Sequence, residues 1–129
     1  ERFHGAFVQN AWRKIGDFKG GTSNNMLIGE RNTPGDNSVD TVGHGTWLGV
    51  PNCTSAAGLA MHLGDTAIKL NPGEKMNRRV QTTAFSSLHR GGAHFLIGDG
   101  SVRFISNDIN IKTYRKLSTI DDDLPLGEF

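Results

Sequence analysis

Histidine and aspartate are the residues with the most chemistry to offer here, and two of them stand at a defined spacing: His89, nine residues, then Asp99. A histidine held by a carboxylate is the base half of a nucleophilic hydrolase. The third member is missing, because Ser86, Ser87 and Ser101 occupy no position that a nucleophile motif requires. There is no Gly-x-Ser-x-Gly elbow, no His-Glu-x-x-His and no P-loop. Gly43-His44-Gly45 opens like a dinucleotide fingerprint, but the next glycine, Gly49, is misplaced. His89 therefore reads as a structural residue. Its expected partner is a backbone group or a turn carboxylate such as Asp99, and its expected effect is to lock the Gly91-Gly92 bend. No catalytic residue is assigned, and no enzyme activity is expected.

Metal ligation follows the same logic. Zinc needs three or four converging ligands. The five histidines are His4, His44, His62, His89 and His94. His89 and His94 are separated by a loose stretch containing Gly91-Gly92, which argues against a metal pair. No spacing joins Cys53 to His44 or His62. Calcium, which takes oxygen ligands from loops, suits the chain better. Asp36, Asp40 and Asp99 are its candidate ligands, with Asn37 and the Asp121–Asp123 run nearby, although none forms a recognised calcium loop. No other cofactor is expected.

The elements that must position these residues are unevenly legible. The chain has 129 residues, enough for one domain spanning 1–129. Seventeen glycines point to many turns and few long helices. Fourteen basic residues balance thirteen acidic ones, so no nucleic-acid footprint is expected, and Lys75, Arg78 and Arg79 read as a solvated loop. The single cysteine, Cys53, excludes an internal disulfide framework. Asn52-Cys53-Thr54 is a glycosylation sequon in form only. No apolar run is long enough to span a bilayer, and no signal peptide is present. Glu1 opens in what reads as folded sequence, so the chain is expected to be the C-terminal part of a longer protein.

Residues 1–30 read as strand-like, with a turn at 19–24 leading into a short buried strand at Met26-Leu27-Ile28. Residues 31–86 carry many turn formers and no clear period, and are expected to form long loops with any recognition surface. Asp99-Gly100 between two apolar runs predicts a hairpin with a two-residue type I′ turn. Counting outward pairs Ile97 with Val102 and Phe95 with Phe104. That register puts Phe95, Ile97, Val102 and Phe104 on the core face, and His94, Leu96, Arg103 and Ile105 on the other. Asn110 should cap a short helix whose stripe is Ile111, Tyr114 and Leu117. The class is α+β: a mostly antiparallel sheet with a C-terminal β-hairpin, one short helix and long loops.

The run from Ser87 to Ser106, with His89, nine residues and Asp99-Gly100, resembles the prepilin-type processing-associated segment written His-x9-Asp-Gly. That segment ends a domain-of-unknown-function family abundant in planctomycete bacteria. Gly20-Gly21-Thr22-Ser23-Asn24, followed by Met26-Leu27-Ile28-Gly29-Glu30, is similar to the family's other signature, although Gly20 stands where the family usually has Asp. Leu126-Gly127-Glu128-Phe129 is similar to family C-termini. The resemblance implies a pseudopilin-like parent, exported by way of an N-terminal signal and a long apolar helix that this chain lacks. It implies an extracytoplasmic location, secreted or at the cell surface, and a relation to type II secretion and type IV pilins. His89, Gly91, Gly92, Asp99 and Gly100 would form its structural motif.

The functional expectation is a non-catalytic structural or binding domain. Its partners would be the missing N-terminal segment, other pilin-like subunits or a second copy, meeting an open apolar patch that includes Leu96 and Ile105. The membrane would be reached only through the absent helix. The rival readings are a secreted glycan- or ligand-binding module and a hydrolase using His89 and Asp99. In the first, Trp12, Trp47 and Tyr114 make an aromatic platform, and Trp47, His44, His89 and Asp99 are the candidate binding residues.

Overall fold

A computed structural model describes residues 5–8, 12–32, 63–73 and 83–121. Three strands form one antiparallel sheet in the order β1-β2-β3: β1 is Met26–Gly29, β2 is Gly92–Ile97 and β3 is Val102–Ser106. One helix follows, α1, Ile111–Leu117. The protein is α+β, and its described sheet is wholly antiparallel. Among the described residues no helix is long and apolar enough to cross a membrane.

Among the described residues of 1–30, the strand-like reading holds only for β1. Upstream, the backbone makes single 3-10 turns at Ile15–Asp17 and Thr22–Asn24, and Trp12 stands 96% exposed. Lys14, Asp17 and a dense run of Gly, Thr, Ser and Asn satisfy one another locally, which favours turns over a ladder. The Asn24 amide donates to Gly20 O and the Asn25 amide to Gly21 O. β1 then pairs with β2 as Met26 opposite Ile97 and Gly29 opposite Phe95, with a bulge between Met26 and Ile28. The bulge absorbs one residue, so Met26 and Gly29 both face the core although three positions separate them.

The hairpin exists where the sequence places it, but its register is shifted by one residue. The observed pairs are Leu96 with Val102, Phe95 with Arg103, His94 with Phe104 and Ala93 with Ile105. The loop is Gly98-Asp99-Gly100: Gly100 N–H donates to Ile97 O, and Ile97 N–H donates to Ser101 O. Gly98 supplies the extra loop residue, and Gly100 closes the loop at φ +88°, as in the three-residue hairpin class. The shift exchanges the two faces of β3. Ile105 goes into the core, while Val102 (65% exposed) and Phe104 (47%) face outward. Asp99 accepts from the N–H and hydroxyl of Ser101, which hold its carboxyl below the usual range.

We expect Gly100→Ala to cost about 1 kcal/mol, because an L-residue resists positive φ. Nothing within 4 Å would meet the added methyl, so the loss should be conformational alone. A thermal melt with an unchanged midpoint would contradict this.

On the inner face, Ala93, Phe95, Ile97 and Ile105 pack with Met26, Leu70, Tyr114 and Leu117. Phe95 is central, edge-on to Phe85 at 5.1 Å and to Tyr114 at 6.2 Å. α1 delivers Tyr114 and Leu117 from one stripe, and the Asn110 side chain caps it by accepting from Lys112 N–H. Burial pushes the Tyr114 phenol well above its usual range, with the Asp65 charge adding to the effect. The outer face has no such cover among the described residues. Ile28, Leu96 and Val102 lie side by side across the three strands, with Phe104 and His94 in the next row. Of the two residues expected on an open apolar patch, Leu96 lies half-buried on this outer face and Ile105 lies in the core.

Candidate functional site

The end of β2 opposite the hairpin loop gathers most of the polar chemistry. β1 stops at Gly29, and Glu30 follows it directly across from His94. There Glu30 continues the pairing with its side chain: Oε1 accepts from the His94 N–H at 2.9 Å and lies 2.9 Å from His94 Nδ1. The other oxygen, Oε2, accepts from the Ser87 hydroxyl. Ser87 is itself placed by Asn71, whose Oδ1 accepts the Ser87 N–H at 2.7 Å while its amide donates to Asn107. Backbone bonds fix the approach on both sides: Ser86 N–H to Glu30 O, Asn32 N–H to Ser86 O, and Asn107 N–H to Gly91 O.

His89 enters this group because the chain reverses between it and β2. Gly91 makes the reversal at φ +86°, and Gly92 lies against β3 with no room for a side chain. The His89 ring then stands edge-on to His94 at 4.9 Å, with Nε2 3.7 Å from Glu30 Oε2. Phe104 also packs edge-on to His94, 5.1 Å away and at 66°. One ligand-type atom from each of Glu30, His89 and His94 lies within 4.8 Å of the others. Partial burial disfavours the Glu30 charge. The bonds from Ser87 and His94 and the field of His89 outweigh it, so the carboxyl sits below its usual value of 4.5.

The candidate residues are thus regrouped. His89 and His94, set apart by their spacing in the sequence, are brought together. Asp99 lies at the far end of β2 and bonds to Ser101, so the carboxylate facing His89 is Glu30. No described arrangement gives Asp99 a share in a cluster of three metal-ligating side chains. Gly91 and Gly100 both stand at positive φ, and Gly92 lies against β3. Tyr114 is fully buried and Trp12 is exposed, so these two do not form a platform. His44, Trp47, Asp36 and Asp40 lie outside the described residues, as does the run 122–129. A half-open hollow of about 240 Å³, lined by Arg13, Asp17, Lys19 and Ile120 among others, is smaller than an ordinary ligand pocket.

Glu30 is the member that residue-by-residue reasoning missed. The pairing of β1 with β2 brings it to His94 across 64 positions, and its signal was the Gly-Glu ending of the first strand. A family model described as "Protein of unknown function (DUF1559)" matches residues 2–112. The chain belongs to that family. The DUF1559 match spans Glu30, His89 and His94 together with the whole sheet. No curated protein and no solved structure matches the chain.

Proposed function

We propose that this DUF1559 domain is a non-catalytic, extracytoplasmic assembly module of a pseudopilin-like surface protein. It docks an apolar helix of a pilin-like subunit on its outer sheet face. The observation that carries the reading is the outer-face row of exposed Ile28, half-buried Leu96 and exposed Val102, with Phe104 beside it and no cover among the described residues. Ile28 and Val102 are 60% and 65% exposed. Contiguous apolar surface of this kind marks an interaction site. Three strands set about 4.8 Å apart make a strip roughly 10 Å across, the width of one α-helix with its side chains. The His89…Asp99-Gly100 spacing adds the resemblance to prepilin-type processing-associated segments.

The test is made on the parent protein in its own cells. Protease added to intact cells should digest the domain. The variant Ile28→Glu with Val102→Glu should be released from the envelope while melting at the wild-type temperature. In solution the wild-type domain should bind a hydrophobic dye, and the variant should not. A protease-protected, cytoplasmic domain would overturn the location. Retention of the folded variant at the envelope would overturn the docking face.

A further inference from the structure

We propose that Glu30, His89 and His94 form a binding site for one divalent transition-metal ion, zinc by the chemistry of its ligands. Two imidazoles and one carboxylate are a borderline-soft donor set that suits zinc. It is a poor match for calcium, which takes six or more oxygens. The site does not depend on the proposed docking function.

The three ligand atoms lie within 4.8 Å of one another and must draw together to hold one ion. Ligand atoms around tetrahedral zinc stand about 3.4 Å apart, given bonds of about 2.0–2.1 Å. Here Glu30 Oε1 and His94 Nδ1 are 2.9 Å apart, and Glu30 Oε2 and His89 Nε2 are 3.7 Å apart. A metal ion would take the place of the proton shared by Glu30 and His94. Hydrogen bonds tie His94 to Glu30, whereas His89 meets the carboxylate at 3.7 Å as an ion-pair contact past hydrogen-bond reach. Its ring is nevertheless turned with Nε2 toward that carboxylate, where a ligand would be.

Outer contacts of the kind that tune metal sites are also in place. The Ser87 hydroxyl and the His94 N–H orient the carboxylate, and Phe104 packs edge-on to the His94 ring. The backbone beneath is held by the sheet and by the bonds of Ser86, Asn32 and Asn107. The His89, His94 and Glu30 side chains are 59%, 44% and 32% exposed, so the site opens to solvent. Three protein ligands leave a fourth position for water or an external donor.

The experiment is a calorimetric titration of the purified domain with zinc chloride, repeated with cobalt(II) to read coordination from its visible absorption. One ion per chain should bind, and the cobalt band should be that of a four- or five-coordinate nitrogen–oxygen site. His89→Ala and His94→Ala should each weaken binding tenfold or more. His89 is exposed, so its variant stays folded and remains informative if Glu30→Gln does not. Zinc should raise the melting temperature of the wild type but not of the double histidine variant. The proposal falls if zinc shows no saturable uptake. It falls equally if the double variant takes up zinc as the wild type does, since the ion would then sit on other residues.

Discussion

Gly92→Ala should leave little folded protein. A Cβ at Gly92 would lie 2.1 Å from the Ile105 carbonyl oxygen and 2.8 Å from the Phe104 ring. The ring can turn aside. The carbonyl belongs to the neighbouring strand and can retreat only if β3 separates from β2 by more than 1 Å or so, well short of normal contact otherwise. Gly92 pairs with Ser106 at the start of the ladder, so that movement breaks the hairpin and pulls Ile105 from the core. Overpacking alone costs about 1–3 kcal/mol, and the broken ladder adds to it. A loss on the order of 3 kcal/mol or more is expected, from a total of about 5–15 kcal/mol. Gly91→Ala is the control: positive φ is its only penalty, because nothing within 4 Å meets its methyl. Denaturant melts should therefore show Gly92→Ala as several times more damaging. Equal losses for the two variants would mean that the close approach at Gly92 is not what the bend requires.

How far the sequence could be read depended on whether one pattern excluded its rivals. The helix was legible because Asn110, Ile111, Tyr114 and Leu117 fit a single reading, and cap and stripe both occur as expected. The hairpin was legible as a hairpin, but its register was not. β3 reads Val-Arg-Phe-Ile-Ser, with apolar residues at both parities, so either face could be buried. The choice fell to the loop, where Gly98 allows a third residue that Asp99-Gly100 alone does not announce. The polar site was harder still. A Gly-Gly stretch between two histidines can let them drift apart or, with Gly91 at positive φ, fold one back over the other. Glu30 reaches them only through a strand pairing between distant segments, and no local rule encodes that pairing.

Glu30→Ala should cost about 2–3 kcal/mol at neutral pH in buffer containing a chelator. One carboxylate serves three donors: the Ser87 hydroxyl, the His94 N–H and the His94 ring. Hydrogen bonds to a charged group are worth about 1.5–3 kcal/mol each, and the sum is reduced here because the side chain is one-third exposed and water can replace part of what is lost. The damage should spread along the chain, since Ser87 also accepts the His89 N–H at 3.1 Å and so carries the turn before β2. Acid should reproduce the effect in the wild type. The folded Glu30 carboxyl sits below its usual value of 4.5, so folding favours its ionised form. That contribution is fully present above pH 4.5 and is lost as pH falls through the lowered folded value. The stability gap between wild type and Glu30→Ala should therefore be widest near neutrality and close under acid, read from denaturation midpoints at a series of pH values. A gap that stays constant down to about pH 3 would show that Glu30 acts through packing rather than charge, and that Ser87 and His94 find other acceptors when it is gone.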